Sequence, residues 1–139
     1  MYNGQFIKGI IHVMVFVVMI WMANEYGPIM VPVFFAFDGE RIYIALDDKP
    51  KSVPPTSLKR VRDILANPHV ALLVDTYSED WSRLSYVLVS GTAALEPAGT
   101  ECHAAAITLL REKYPQYRDE PPGTPVLAVD VTEVRYWPR

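Results

Sequence analysis

Apolar residues are gathered in six runs along the chain, and turn-forming residues separate the runs. Short runs rich in Val, Ile, Phe and Tyr between Gly, Pro, Asn and Asp are typical of β-strands. The Asp38-Gly39 pair between two of the runs is a strong signal for a tight hairpin turn. The pattern therefore predicts six strands, at residues 9–23, 28–37, 41–46, 69–77, 85–95 and 126–137.

Two residues predict irregular positions within the strands. Pro32 lies inside the second run, and because proline has no N–H to donate, it predicts a bulge or a sheet edge there. Gly91 lies inside the fifth run and predicts a bend. Asn24 to Gly27 has the composition of a hairpin turn, so the first 46 residues are interpreted as a three-stranded antiparallel meander.

Helical spacing replaces the strand pattern at two places. One apolar face is formed by Leu58, Val61, Ile64 and Leu65, after the possible capping residues Thr56 and Ser57. Residues 100–117 predict an amphipathic helix that ends at Pro115. Six strands and two helices without a repeat or linker predict one mainly β (α+β) domain over residues 1–139. The expected form is a closed or partly closed antiparallel barrel with helices at its rim.

The first run, "GIIHVMVFVVMIWMA" (residues 9–23), is apolar enough to resemble a signal peptide or a membrane anchor. It is shorter than the roughly 20 residues that a spanning helix needs, and no small-residue cleavage site follows it. Its many β-branched and aromatic residues favour a strand buried on both faces. A membrane anchor remains the alternative, and we expect no membrane association.

Composition excludes some classes of function. The chain has 139 residues, half of them apolar, and a net charge of −3, which argues against general binding of nucleic acid. The single cysteine, Cys102, fits a reducing compartment, so a cytoplasmic protein is expected, and Cys102 is interpreted as a packing residue. His12, His69 and His103 lack the spacing of metal ligands. No metal site or nucleotide-binding fingerprint is predicted.

The stretch "KPKSVPPTSLKRVR" (residues 49–62) holds five of the thirteen basic residues and no acid. A helix N-terminus offers free N–H groups and a partial positive charge. The Ser57 hydroxyl and the charges of Lys59, Arg60 and Arg62 would complete a cradle for a phosphate or carboxylate. A solvated basic face on a surface helix is the alternative.

Tryptophans supply a second candidate feature. Trp81 lies in a predicted loop between strands, and Trp137 lies two residues from the C-terminus. Such side chains can stack on a flat ring system, or they can serve in packing or in a dimer interface.

Several stretches together resemble the pyridoxamine-phosphate-oxidase-like superfamily of FMN-binding split β-barrels. They are "PIMVPVFFAFDGERIYIALDDKPK", "LKRVRDILANPHVALLVD", "EDWSRLSYVLVSGTAAL" and the terminal "VRYW". The combination of "DDKPK", "LKRVRDILANP" and "DWSRL" is most similar to the branch of coenzyme F420-dependent enzymes. The resemblance covers residues 13–137 and implies a six-stranded split barrel with flanking helices.

The resemblance also implies a cofactor site. Basic residues of the helix after the third strand hold the phosphate or acidic tail in that family, which corresponds to Lys59, Arg60 and Arg62 here, with Lys49 and Lys51 along the tail. Backbone of the second and third strands flanks the flat ring, at Val31, Pro32, Val33, Ala45 and Leu46. Trp81 corresponds to a tryptophan from the partner subunit, because such proteins are dimers with two cofactor sites at the interface.

The sequence thus predicts a homodimeric oxidoreductase that moves a hydride between coenzyme F420 and a small, electron-poor organic molecule. The cofactor carries that chemistry, so no protein acid or base is assigned. One alternative is the same fold with FMN, which would leave the lysines at 49 and 51 without a role. Another is a non-catalytic protein that binds a flavin or haem.

Overall fold

The computed structural model describes residues 15–20, 29–46, 59–122 and 125–138. The strands in these ranges are β1 (Val15–Ile20), β2 (Ile29–Pro32), β3 (Phe35–Phe37), β4 (Arg41–Ala45), β5 (His69–Thr76), β6 (Ser85–Glu96) and β7 (Val126–Trp137). The helices are α1 (Lys59–Ala66), α2 (Glu101–Lys113) and the short α3 (Gln116–Asp119), with a 3₁₀ turn at Trp81–Arg83. The predicted mainly β architecture with few helices is confirmed.

The strands form one antiparallel sheet in the order β2-β1-β5-β6-β7-β4-β3. β2 and β3 are therefore the two ends of the sheet, yet only Val33 and Phe34 separate them along the chain. Two extended residues add at most about 7 Å to the distance between the end of β2 and the start of β3. The two ends of the sheet must therefore lie side by side. The sheet accordingly curls into a split barrel.

The predicted number of six strands is wrong, since the described residues carry seven strand segments. The run at residues 28–37 divides after Pro32, the last residue of β2, where proline cannot donate a ladder hydrogen bond. Its first half pairs with β1 and its second half with β4. The predicted edge position of Pro32 is confirmed, because β2 is a terminal strand of the sheet.

The apolar N-terminal run contributes β1, which lies between β2 and β5 in the sheet. The rest of residues 9–23 and the predicted turn at residues 24–27 lie outside the described residues. β1 and β2 pair antiparallel, as that turn required. Among the helices of the described ranges, none is long and apolar enough to cross a membrane.

The barrel interior is filled by alternate residues of the strands. β5 and β6 place every second side chain inside, which is the period of a half-buried strand. Val61 and Ile64 of α1 join this interior, so α1 is anchored by its apolar face. The largest fully buried side chains are Phe35, Ile42, Leu46, Leu72 and Leu110.

The second apolar layer lies outside the barrel, where α2 covers β3, β4 and β7. Ala36, Tyr43 and Ala128 on the outer face of the sheet meet Ala106 and Leu110 of α2. Cys102 packs against this layer, in agreement with its interpretation as a packing residue. The hydroxyl of Thr100 caps α2 by accepting a 3.1 Å hydrogen bond from the N–H of His103.

The predicted hairpin turn at Asp38-Gly39 joins β3 to β4. The carboxylate of Asp38 accepts hydrogen bonds from the N–H of Glu40 at 2.8 Å and of Arg41 at 2.7 Å, and from the hydroxyl of Tyr43 at 2.9 Å. Gly39 has a φ of +107°, a left-handed conformation that glycine adopts without a steric cost. This turn fixes which residues of β3 and β4 face the interior.

The bend predicted at Gly91 is a shift of register between β6 and β7. Ser90 is opposite Glu133 but Gly91 is opposite Val131, so Thr132 is the extra residue of a bulge. A Cβ at position 91 would overlap the backbone carbonyl oxygen of Asp130. Only glycine allows the two backbones to approach so closely.

We expect Gly91→Ala to destabilise the protein by about 1–3 kcal/mol, because the new methyl group meets backbone that cannot move without breaking the sheet. Urea unfolding of both proteins measures the difference. Ser90→Ala, on the neighbouring residue, serves as the control and should stay within about 0.5 kcal/mol of the wild type. A Gly91→Ala protein as stable as this control would contradict the close approach.

Candidate functional site

The first turn of α1 is the candidate anion site. It carries Lys59, Arg60 and Arg62 and no acidic residue. Cations at a helix N-terminus are repelled by the positive end of the macrodipole, which lies there. Arg62 is exposed, whereas Asp63, the acid that follows it, is 8% exposed and belongs to the buried side of the helix. The first turn of α1 therefore combines three basic residues with no acid, and among them the structure describes the side chain of Arg62, which is exposed.

The residues predicted to flank a flat ring come together where the chain crosses from β2 to β3. The N–H of Ala45 donates to the carbonyl of Phe34 at 3.1 Å, which joins the end of β4 to this crossing. Val33 packs against the barrel interior and Pro32 is exposed. The structure thus brings the segment at Val31–Val33 next to Ala45–Leu46.

Ala45 and Leu46 are themselves buried on opposite faces of the sheet. Leu46 belongs to the barrel interior, whereas Ala45 lies in the outer layer beneath α2. Their side chains are thus committed to packing, and any contact with a ligand here would use the backbone. Lys49, Lys51 and Ser57 lie outside the described residues, so their predicted roles stay predictions.

Trp81 is 79% exposed and lies in the 3₁₀ turn between β5 and β6. Asp80 shapes that turn by accepting hydrogen bonds from the N–H of Ser82 at 3.1 Å and from its hydroxyl at 2.7 Å. α1 ends beside the start of β5, and β5 has eight residues, or about 26 Å of extended chain. The hairpin therefore separates Trp81 from the C-terminal end of α1 within one chain.

Trp137 contributes to a cavity that the sequence did not predict. Its ring stacks on Tyr86, with centroids 6.4 Å apart and planes 13° apart. The open cavity beside this stack has a volume of about 380 Å³ and is lined by Asp75, Thr76, Tyr77, Leu84, Ser85, Tyr86 and Trp137. Beyond Asp130, β7 has no strand on its outer edge among the described residues. This end of the barrel thus presents aromatic rings and an open strand edge.

A second group of side chains, also missed by the sequence analysis, lies where α2 ends beside the β2–β3 crossing. This Lys113 cluster consists of Phe34, Lys113, Tyr114 and Tyr117. The Phe34 ring meets the Tyr114 ring edge-on at 5.3 Å and the Tyr117 ring at 6.4 Å. The hydroxyl of Tyr114 accepts a 3.2 Å hydrogen bond from the N–H of Phe35. The C-terminus of α2 is thereby fastened to the start of β3.

Lys113 occupies an unusual environment in this cluster. Its Nζ donates to the carbonyl of Phe35 at 2.9 Å and lies 3.4 Å from the centroid of the Phe35 ring. Among the described residues, no carboxylate lies within ion-pair distance of it. Burial lowers the pKa of Lys113 to about 8, and burial also raises the pKa of Tyr114. Within the described ranges, Lys113 is therefore a cation without a negative partner.

Metal ligands are not grouped in the described part of the chain, which holds no cluster of three His, Cys, Asp or Glu side chains. His69 is exposed at the start of β5, and His103 is buried on α2.

Comparisons with known proteins agree with this architecture. The family model for pyridoxamine 5'-phosphate oxidase matches residues 18–138, from β1 to the end of β7. A search of curated proteins finds no match to the sequence. Similar solved structures include general stress protein 26 from Bacillus anthracis, which is 20% identical with a TM-score of 0.64 over 98% of this chain and 94% of that one.

Two further structures extend the comparison. An FAD-binding protein from Mesorhizobium loti is 18% identical, with a TM-score of 0.65 over 97% of this chain and 92% of that one. The haem storage protein HutZ from Vibrio cholerae is 9% identical, with a TM-score of 0.72 over 96% and 92%. At such identities the likeness shows the fold alone, and the split barrel expected from the resemblance is confirmed.

The buried position of Lys113 predicts a pH dependence of stability. Between pH 8 and the unfolded value near 10.5, the unfolded chain binds a proton that the folded chain has released, so stability rises with pH. We expect the wild type to gain about 1 kcal/mol relative to Lys113→Met between pH 7.5 and pH 9.5, a value reduced for partial exposure of the amine. Urea unfolding of both proteins at the two pH values measures this gain. A difference that does not change with pH would show that burial leaves the amine unperturbed.

Proposed function

We propose that this chain, which belongs to the pyridoxamine 5'-phosphate oxidase family, is an oxidoreductase that binds the deazaflavin coenzyme F420. Its substrate would be a small, electron-poor organic molecule. The observation that carries the proposal is the first turn of α1, with three basic residues and no acid. When bound, the reduced cofactor supplies a hydride, and the protein supplies binding and orientation.

The basic turn fits the negative end of such a cofactor. Arg62 is exposed in α1, and Lys59 and Arg60 precede it on the same turn. An anion there would accept hydrogen bonds from the free N–H groups of the helix and relieve the repulsion among the three cations. The anchoring of Val61 and Ile64 in the barrel interior keeps this turn in place. Lys49 and Lys51 are assigned to the acidic tail of coenzyme F420, which FMN lacks.

The β2–β3 crossing is the position assigned to the flat ring. Backbone of Val31–Val33 on one side and Ala45–Leu46 on the other would flank it, since both segments meet at the hydrogen bond between Ala45 and Phe34. Packing against the barrel interior holds Val33 and Leu46 rigidly. A rigid, apolar surround excludes water from the reacting part of a ring and fixes its orientation.

The site is assigned to a homodimer. The β5 strand separates Trp81 from the C-terminal end of α1, and we assign the Trp81 that stacks on a ring bound by one chain to a second chain, as the family resemblance implies. The exposed rings of Tyr77, Trp81, Tyr86 and Trp137 and the open edge of β7 offer an apolar surface for that contact.

FMN is the second candidate cofactor. The basic first turn of α1 would serve the single phosphate of FMN as well as the negative end of F420, so the acidic tail of F420 is what distinguishes the two candidates. A protein that binds a flavin or haem without catalysis is distinguished by its chemistry. It would hold the reduced cofactor without oxidising it when electron acceptors are supplied.

Titration of the purified protein with F420 and with FMN tests the proposal, with cofactor fluorescence as the signal. We expect tighter binding of F420, because its acidic tail adds charge contacts that FMN cannot make. Micromolar binding of FMN without binding of F420 would replace the leading proposal by the second candidate. Binding of neither would overturn both.

Charge reversal on α1 tests the anion site itself. Arg60→Glu and Arg62→Glu should each weaken cofactor binding by roughly tenfold or more, since each removes a charge-assisted contact. The remaining affinity should also depend less on salt than that of the wild type. Arg111→Glu changes the net charge equally at an exposed position of α2 and is the matched control. If the α1 variants bind as tightly as this control, the anion site is elsewhere.

A further inference from the structure

The Lys113 cluster has a composition that packing alone does not explain. The Phe34 ring is 53% exposed although it lies at the meeting point of two strands and two helices. The amine of Lys113 has no carboxylate partner in the part of the chain that the structure describes, so the cluster combines an exposed apolar surface with a positive charge. Lys113 and Tyr114 both hold the end of α2 to β3, through hydrogen bonds with the carbonyl and the N–H of Phe35, and Phe34 stays exposed beside them.

The three groups are close enough to act on one small molecule. The Nζ of Lys113 lies 5.1 Å from the Tyr114 ring, and the Phe34 ring lies 5.3 Å from the same ring. In the described ranges, one of the three N–H donors of Lys113 reaches a protein acceptor, the carbonyl of Phe35. The ammonium group therefore keeps donors for an anion while the rings offer a stacking surface.

We propose that the Lys113 cluster is the substrate subsite and that it binds a planar aromatic carboxylate, with the ring on Phe34 and the carboxylate on Lys113. The proposal rests on the proposed function, because it names the substrate class for the same site. Phe34 directly follows Val33 in the sequence and its carbonyl accepts from Ala45, so the subsite adjoins the position assigned to the cofactor ring.

An aromatic ring that carries a carboxylate and an electron-withdrawing group suits the proposed reaction. Such a ring accepts a hydride more readily than an electron-rich ring, and its carboxylate supplies the charge that Lys113 recognises. A charge-assisted hydrogen bond in a partly buried site contributes more to affinity than the same bond in water. Lys113 would thus select anionic substrates and orient them against the cofactor.

The pH dependence of binding follows from the groups that face Lys113. Among the described residues these are the ring and carbonyl of Phe35 on β3 and the ring of Tyr114, which directly follows α2 and packs on Tyr117. The pKa of Lys113 is about 8 in the free protein, so the amine is charged at pH 7 and largely neutral at pH 9.5. Burial raises the pKa of Tyr114, which therefore stays neutral over this range. Affinity for a carboxylate should fall as pH rises through this interval.

Calorimetric titration with 4-nitrobenzoate and with the uncharged 4-nitrobenzamide tests the subsite in the full chain, with and without FMN or F420. We expect the wild type to bind the carboxylate about tenfold more tightly than the amide at pH 7, and to lose most of this preference at pH 9.5. Lys113→Met should abolish the preference and Lys113→Arg should keep it. Phe34→Ser should weaken binding of both probes equally.

The outcomes separate the subsite from the proposed function. Circular dichroism first establishes that each variant is folded. If Lys113→Met is unfolded, Lys113→Arg is the variant on which the test relies. If neither cofactor binds but the carboxylate preference depends on Lys113, the subsite is supported and the cofactor proposal fails. If a cofactor binds but the wild type shows no preference, or Lys113→Met keeps it, the subsite is overturned.

Discussion

The structure depends on the two-residue crossing at Val33 and Phe34. It carries the chain from one end of the sheet order to the other, so the ends must meet and the sheet must close. Closure creates the single interior that Phe35, Ile42 and Leu46 share with β5, β6 and α1. Burial of this apolar surface is the main driving force for the fold, and an open sheet of the same strands would lose much of it.

The same crossing organises the candidate site. It brings the end of β2 beside the end of β4, and it turns Phe34 toward the end of α2. Packing holds both faces of the sheet at the end of β4, because Leu46 lies inside the barrel and Ala45 lies beneath α2. The basic turn of α1 is held by Val61 and Ile64, which join that interior. One apolar core thus positions the assigned ring site and the assigned anion site.

The sequence predicted what local pattern controls. Alternation marked the strands, Asp38-Gly39 marked a hairpin, and Pro32 and Gly91 marked the irregular positions. It did not predict that the halves of one apolar run would pair at opposite ends of the sheet, because strand pairing between distant segments leaves no local signal. This is the physical reason for the wrong strand number.

The candidate site likewise has one part that local sequence could predict and one part that it could not. The basic turn of α1 was visible because its charges are neighbours in sequence. The Lys113 cluster was missed because Lys113 and Phe35 are 78 positions apart, and only the fold brings them together. A weak signal was the spacing of Lys113, Tyr114 and Tyr117 at the end of an amphipathic helix. Trp137 was considered as a stacking residue for a ligand, but in the structure it stacks on Tyr86.

A crystal structure of the protein grown with F420 or FMN tests the central claim most directly. The account predicts cofactor density with its phosphate at the first turn of α1 and its ring between Val31–Val33 and Ala45–Leu46. Density for the ring in the cavity beside Tyr86 and Trp137 of the same chain, with no anion at α1, would contradict it.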